Sequence, residues 1–415
     1  MRKIIASLDV GSGLIKLVVG EIGKNDCIRI LASSSVISAG VAKGFVVDKE
    51  ALQKKLKEVF AKCEEILGTS IHQVLLCLPC DEAKFFLSEG KSTITNDEHL
   101  IKTGDVIRAL QACTYNKIEE QREIVSIMPT AYRIDDERNV SDPIGLEANV
   151  LSLKALVVTV PRDNALDIVK CLEEMNVTVI DFTLSSIGDY YETHNSAMDS
   201  SVGAMINIGY EKTEIAIFNK GLLTNVTKLD LGSKSILADL SYMYQISKND
   251  SEDVFSLLCS AHTRGVLASE KKSYTSKSGD EVVINAYEAS EITASRVEEI
   301  LKLAKKEINL LTKKEIHYIM ITGGVSEMPG FSLKLEEVFG HSAKIANLRE
   351  LGVRSNIYSP SVGLIKFFQE KLKMRKQEYS MFNEEEIEDM CSISTKSNDE
   401  DNSILGRLFG YFFDN

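Results

Sequence analysis

The sequence predicts an α/β fold made of two similar halves that hold one ligand between them. Residues 2–35 contain three short apolar strands separated by glycine turns. The same order of strand, turn, strand, turn, strand returns in residues 203–232, and a further glycine pair follows an apolar strand at Gly323-Gly324. A repeated pattern indicates a duplicated unit, and each half can then offer a glycine turn to a shared ligand.

Composition excludes several classes of protein. The chain has 415 residues, 44% of them hydrophobic, which is enough for two to four units with a large core. Its net charge of −13 opposes binding to polyanions, so we do not expect nucleic acid as a partner. No apolar run reaches the roughly 18 residues that a membrane span needs, and Asp9 interrupts any signal-peptide core, so we expect neither secretion nor a transmembrane segment.

The cysteine pattern gives no metal site. The chain has eight cysteines, and Cys77 and Cys80 form a C-x-x-C string with no second pair and no histidine cluster. We therefore interpret them as packing residues at a strand end in a reducing cytosol.

The first half continues with a helix and an insertion. Apolar residues recur every three or four positions from Asp48, a good N-cap, to Gly68, a typical helix stop. A strand follows in 73–79. Residues 81–155 are more polar, with strands around a turn at 141–145, and indicate an inserted subdomain.

The second half ends in a polar segment. A long amphipathic helix is predicted at about 288–312, then a buried strand, the Gly323-Gly324 turn and a helix begun by Ser359-Pro360 as N-cap and first residue. Residues 375–402 are acidic and lack an apolar period, which is typical of a solvated linker. The predicted units are 1–80, first core; 81–160, inserted subdomain; 161–232, return to the core; 233–310, second small subdomain; 311–374, second core; 375–402, disordered linker; and 403–415, terminal helix.

The first glycine turn has the parts of a phosphate site. Gly11, Ser12 and Gly13 expose backbone N–H groups and leave space, Asp9 can hold Mg²⁺ through water, and Lys16 adds a positive charge. Taken alone, such a turn more often only connects two strands. Three glycine sites in series favour a ligand site.

The last residues form an amphipathic pattern. On a helical wheel, seven large apolar side chains fill an arc of about 200°: Ile404, Leu405, Leu408, Phe409, Tyr411, Phe412 and Phe413. A helix docked on the protein's own core is one interpretation. Because an acidic segment separates it from the fold, we favour a helix that binds the membrane surface.

Three strings together resemble the phosphate-1, phosphate-2 and adenosine motifs of the actin, heat-shock chaperone and sugar-kinase superfamily. They are LDVGSGLIKLVVGE at 8–21, INIGYEKTEIAIFNKG at 206–221 and IMITGGVSEMPGF at 319–331. Within that superfamily, DPIGL and VVTVPRD in 142–163, DFTLSSIGDYYET at 181–193 and SPSVGLIKF at 359–367 are similar to the FtsA family of bacterial division proteins. The resemblance covers about residues 1–370 and the last dozen.

The resemblance implies an actin-like fold: duplicated ribonuclease H-like halves around a central nucleotide cleft, with a relocated small subdomain at 81–160 and a C-terminal amphipathic helix. It implies ATP with Mg²⁺ as cofactor, no direct protein ligand to the metal and no assigned catalytic residue. The implied nucleotide-binding residues are Asp9, Gly11, Ser12, Gly13, Lys16, Asn207, Gly209, Thr213, Gly232, Glu252, Gly323 and Gly324.

The second phosphate loop departs from the family pattern. That loop usually reads Asp-x-Gly-Gly-Gly-Thr-Thr-Asp, whereas this chain has the string from Asn207 to Glu214. Asn207 can still bind a metal-bound water but cannot act as a base. We expect Glu211 to place negative charge where phosphates should lie, and Phe255 stands where a lysine is usual beside Glu252. ATP binding is therefore expected to be weakened and hydrolysis slow or absent.

The resemblance also implies partners and a location. It implies that the protein tethers the tubulin-like protein FtsZ to the cytoplasmic face of the plasma membrane at the division site, associates with itself and contacts later division proteins. The FtsZ tail would lie on 233–310, with Arg296 matching a contact position. Alternatively, Arg296 is solvated or paired with Glu298 and Glu299. Ile404, Leu405, Leu408, Phe409 and Phe412 would enter the lipid.

Two other functions remain open at this point. One is a small-molecule kinase on the same scaffold, which needs a positioned carboxylate base. The other is an adaptor of pilus or secretion machinery. The loss of a carboxylate at Asn207 and the detached apolar helix favour the division adaptor over both.

Overall fold

The computed structural model describes residues 2–23 and 27–390. The predicted helix at 403–415 lies outside these residues. The first half begins with the predicted strands and helix, in the order β1 (Lys3–Val10), β2 (Leu14–Ile22), β3 (Ile28–Ile37), β4 (Val41–Ala42), β5 (Phe45–Val46), α1 (Lys49–Leu67) and β6 (Gln73–Leu78). Both ends of α1 are confirmed: the Asp48 side chain accepts from the Ala51 N–H, and Gly68 closes the helix at a φ of 73°.

The insertion forms a separate layer before the chain returns to the first sheet. Its elements are β7 (Lys84–Thr93), α2 (Thr103–Thr114), β8 (Arg122–Ile134), β9 (Arg138–Val140) and β10 (Val150–Pro161). Its four strands pair in the order β7-β10-β8-β9 and have their own hydrophobic core. The return consists of α3 (Arg162–Glu173), β11 (Thr178–Leu184), α4 (Ser185–Thr193) and α5 (Ser196–Asp199).

The second half repeats the first. Its elements are β12 (Val202–Ile208), β13 (Thr213–Asn219), β14 (Leu222–Leu229), α6 (Ser233–Tyr244), α7 (Lys248–Leu258), β15 (Lys271–Thr275), β16 (Glu281–Asn285), α8 (Ala286–Leu311), β17 (Tyr318–Thr322), α9 (Phe331–Phe339), β18 (Ala343–Ile345) and α10 (Ser359–Arg375). Tyr358, not Ser359, is the N-cap of α10, so the predicted start is one residue off.

The sheet topology confirms the duplication. The first sheet has the order β3-β2-β1-β6-β11 and the second the order β14-β13-β12-β17-β18. In each, three antiparallel strands are followed by two that run parallel to the central strand. Each sheet has its own large hydrophobic core.

Two helices cross where the halves join. A Cβ atom on Gly363 of α10 would lie 1.7 Å from the carbonyl oxygen of Gly188 in α4, so the two backbones are in direct contact. Only glycine permits this approach at both positions, because any side chain would push the helices apart. The close approach therefore brings α4 and α10 together at the junction of the two halves.

The prediction of a solvated linker from residue 375 is wrong for its described part. Phe382 and Met381 are only 2% and 6% exposed, and the Met381 N–H donates to the Ile4 carbonyl oxygen. Residues 384–390 are helical. The apolar residues here are too few to give a period in sequence, but they cover the part of β1 that β6 does not pair with. Over the described residues, no helix is both long and apolar enough to cross a bilayer.

Candidate functional site

A cavity of about 500 Å³ lies between the two sheets. Its walls come from the β1–β2 loop, the β12–β13 loop, the turn after β17, and helices α6 and α7. Ten of the twelve predicted nucleotide-binding residues line it: Asp9, Gly11, Ser12, Gly13, Lys16, Asn207, Gly209, Glu252, Gly323 and Gly324. The fold therefore brings the three glycine sites together at one cavity.

The first loop carries a close ion pair. Lys16 Nζ lies 2.6 Å from Asp9 Oδ2, and both side chains are largely buried. The Gly11 N–H donates to the Leu14 carbonyl oxygen, which closes the turn, and a Cβ on Gly11 would lie 2.9 Å from that oxygen. The loop thus combines a tight backbone turn with a carboxylate and a cation that pair with each other.

Thr213 and Gly232 do not line the cavity. The Thr213 hydroxyl is buried and donates to the Leu231 carbonyl oxygen at 2.8 Å, because this position of β13 faces the second core. A Cβ on Gly232 would lie 2.4 Å from the Tyr210 carbonyl oxygen. Gly232 therefore lets the β12–β13 loop pack against the start of α6. Both residues therefore contribute to the packing around the second loop and not to the lining of the cavity.

Three of the loop residues that depart from the family pattern contact residues before the second half. Tyr210 packs directly on Gly13, where an added Cβ would lie 2.5 Å from the Tyr210 Cβ. Glu211 accepts from the Lys43 N–H at 2.6 Å and from Lys234 Nζ at 2.7 Å. Lys212 donates to the buried carboxylate of Asp81. We call these contacts the clasp.

The clasp corrects the expectation for Glu211. Burial raises the pKa of Glu211, but the hydrogen bonds from Lys234 and the Lys43 N–H outweigh it and leave the pKa below its usual value. Its negative charge is thus matched by partners outside the cavity, which Glu211 does not line. Lys212 lines the cavity instead, so this loop also brings a cation to it.

Two buried acids close to the second loop were not among the predicted site residues. Burial raises the pKa of Asp189 to about 7, although the hydrogen bond from Asn207 lowers it. Burial also raises the pKa of Glu214, which lines the cavity. Asp189 lies within the string DFTLSSIGDYYET, but only the fold brings it to Asn207.

The far wall of the cavity is apolar. Leu237, Phe255, Val325 and Ile357 line it together with Gly323 and Gly324. Gly323 has a φ of +87°, and a Cβ there would lie 2.4 Å from the Ile208 carbonyl oxygen. The cavity therefore joins an apolar wall, suited to a flat ring, to a region of acceptors and lysines suited to phosphates with a divalent cation.

Arg296 lies on α8 and does not line the cavity. The sequence indicated its ion pair with Glu299 but not the one with Asp239. Its Nε donates to Asp239 Oδ2 at 2.6 Å and its NH2 to Asp239 Oδ1 at 2.9 Å, and it also pairs with Glu299. Glu298 pairs instead with Lys302 and Lys334. The two hydrogen bonds from Arg296 to Asp239 join α8 to α6. The guanidinium of Arg296 is therefore already bonded within the chain.

Reversing the charge of Arg296 is expected to destabilise the protein. In Arg296→Asp a carboxylate faces Asp239 and Glu299, and the free energy of unfolding should fall by about 1–2 kcal/mol. The double exchange Arg296→Asp/Asp239→Arg should recover most of the loss. Urea unfolding of the full chain measures both, with the exposed Lys302→Asp as control. Unchanged stability in Arg296→Asp would contradict the structural role and leave Arg296 available to a partner.

Two family models match the chain. A model described as the SHS2 domain inserted in FtsA matches residues 81–159, and one described as cell division protein FtsA matches residues 204–363. Together they cover more than half of the sequence.

Curated relatives named cell division protein FtsA match over most of their length. The Bacillus subtilis protein is 24% identical over 370 residues, which is 88% of this chain and 83% of the relative. The Borreliella burgdorferi protein is 24% identical over 393 residues, covering 90% and 93%. The Pseudomonas aeruginosa protein is 23% identical over 375 residues, covering 88% and 89%.

Solved structures with low sequence identity share the fold. The type IV pilus biogenesis complex PilM-PilN matches with a TM-score of 0.57 and 14% identity, over 87% of this chain and 97% of that chain. MreB5 of Spiroplasma citri bound to ADP matches with a TM-score of 0.53 and 14% identity, over 89% and 97%. The predicted actin-like fold with an inserted subdomain is confirmed.

Proposed function

The chain belongs to the FtsA family of bacterial cell division proteins, and from that premise we propose that it is an actin-like adaptor that tethers FtsZ to the cytoplasmic face of the plasma membrane at the division site. We further propose that it associates with itself and contacts later division proteins. The observation that carries the proposal is the match of both the inserted subdomain and the second half to models of this one family. Neither match favours a small-molecule kinase or a pilus adaptor.

The cleft supports a proposal of ATP with Mg²⁺ as the ligand. Backbone turns at Gly11 and Gly323 line the cavity beside Lys16 and Lys212, whose ammonium groups pair with Asp9 and Asp81. Bound Mg²⁺ would neutralise phosphate charge, and Asp9 and Asn207 are the acceptors that could hold its waters. The apolar wall suits the base, with Phe255 offering a ring in place of the usual lysine.

Hydrolysis is proposed to be slow or absent. Asn207 has an amide where relatives of this family usually have a carboxylate, so it cannot accept a proton from an attacking water. The clasp also brings Tyr210 against Gly13, which narrows the space between the two phosphate loops. The nucleotide would therefore act as a structural ligand of the scaffold.

The membrane and FtsZ contacts are proposed from the sequence of the last residues and from the family. Co-sedimentation with liposomes and a purified FtsZ tail peptide tests both at once. Full-length protein should bring the peptide down with the vesicles, and a version that ends at residue 402 should bind the peptide but stay in solution. Full-length protein that leaves the peptide in solution would contradict the adaptor function.

Asp9→Ala is expected to weaken binding of a fluorescent ATP analogue. Removal of the carboxylate loses an acceptor for metal-bound water, and such a charge-assisted contact corresponds to a factor of about 10–100 in affinity. The loss should appear only with Mg²⁺; with a chelator, variant and parent should bind equally weakly. The exposed Asp97→Ala in the inserted subdomain is the charge-matched control. Equal affinity of Asp9→Ala and the parent in Mg²⁺ would remove Asp9 from the site.

A further inference from the structure

The orientation of the Asn207 amide is set by Asp189. Asn207 Nδ2 donates to Asp189 Oδ2 at 2.7 Å, across 18 residues of sequence. In this contact the NH₂ group of the Asn207 amide is the donor and faces Asp189. Asn207 Oδ1 consequently points the other way, towards Gly323, where an added Cβ would lie 2.7 Å from it. Asn207 therefore presents an acceptor on the side where it lines the cavity.

Asp189 is a buried acid on α4 with few polar partners. Its side chain is 1% exposed on α4, and within the described residues no lysine or arginine forms an ion pair with it. Its second oxygen, Oδ1, makes no hydrogen bond of normal geometry. Burying a carboxylate with a neutral amide as its main partner is unfavourable. The contact it does make is the one that orients a residue lining the cavity.

We propose that Asp189 is the positioning residue that makes Asn207 an acceptor for a divalent cation and its waters in the cleft. This rests on the proposed binding of Mg²⁺ with nucleotide and deepens it. Two adjacent carboxylates could not both ionise at this distance, so an aspartate at 207 suits a neutral residue at 189.

The test is Mg²⁺-dependent binding of a fluorescent ATP analogue to full-length variants. Asp189→Leu removes the acceptor, leaves the amide free to rotate and should lower affinity in Mg²⁺ about tenfold. Asn207→Asp places two carboxylates side by side and should not improve binding. The exchange Asn207→Asp/Asp189→Asn restores a single oriented acceptor and should bind within about threefold of the parent protein.

Controls separate positioning from folding. Glu192→Gln changes another buried acid of the same helix, one whose partner is Lys366, and should leave binding unchanged. Thermal unfolding midpoints identify any variant that fails to fold. If Asp189→Leu does not fold, the affinity of the double exchange Asn207→Asp/Asp189→Asn tests the inference. Parent-like affinity of Asp189→Leu, or failure of the double exchange to exceed Asn207→Asp, overturns the inference. A parent protein that binds no nucleotide in Mg²⁺ would overturn the proposed ligand as well, so the two failures are distinguishable.

Discussion

Leu408→Glu is expected to abolish binding of the full-length protein to liposomes. The wheel of residues 403–414 puts Leu408 near the middle of the apolar arc, so the substitution places a charge where contact with lipid is closest. Each large apolar side chain gains about 1.5–3 kcal/mol on full burial, and seven of them half immersed offer about 5–10 kcal/mol before ordering is subtracted. Replacing the central leucine with a charged residue removes most of this burial free energy.

The matched control is Arg407→Ala, one residue away on the polar side of the wheel. It should weaken binding only slightly, because the segment carries one arginine and one aspartate and gains little from anionic lipid. Raising the salt from about 0.05 to 0.5 M should leave binding intact, since apolar insertion is barely screened. Release of the protein by salt, or normal binding of Leu408→Glu, would place the membrane contact elsewhere in the chain.

Asp81→Ala is expected to be the most destabilising single change in the clasp. The Asp81 side chain is 1% exposed and accepts from both Lys212 and Lys228 of the second half. Without the carboxylate, the two partly buried lysines lose the counter-charge that they share, and Lys228 keeps only Asp230, at 3.9 Å. Breaking a buried pair in this way costs about 3–5 kcal/mol of unfolding free energy. A lower thermal unfolding midpoint and faster hydrogen exchange in the loops of Gly13 and Tyr210 should report this loss of stability.

Two variants give this experiment its controls. Asp230→Ala removes another inter-half pair, Asp230 with Lys43, and a longer contact to Lys228 at 3.9 Å. Because the Asp230 and Lys43 side chains are more than half exposed, the loss should stay below about 1 kcal/mol. Asp81→Ala/Lys228→Met removes one of the two cations and should recover part of the stability. If Asp81→Ala unfolds at the parental midpoint, the clasp does not hold the halves together.

The clasp changes what the unusual second loop means for nucleotide. The sequence alone suggested that Glu211 would repel phosphates, whereas the structure directs its charge to Lys43 and Lys234 and brings Lys212 to the cavity. The negative charge of Glu211 is therefore no argument against an anionic ligand in the cavity.

The sequence by itself determined the elements and their repetition. Strand alternation and glycine turns predicted both meanders, and Asp48 and Gly68 predicted both ends of α1. These features depend on residues a few positions apart, where hydrogen bonds and backbone preferences act locally. The same local signals identified the three glycine turns, and ten of the twelve residues predicted from them and from the family resemblance line the cavity.

Only the tertiary structure decided which partner each polar side chain takes. Asp189 meets Asn207 across 18 residues, Arg296 meets Asp239 across 57, and the Met381 sulfur meets the Ala6 N–H across 375. Composition near a residue does not reveal such partners, since a charged side chain pairs with whatever the chain topology brings within a few ångströms. For the same reason Thr213 turned to the core, Glu211 turned out of the cleft and residues 379–390 packed on the fold, because burial and charge pairing are settled between elements distant in sequence.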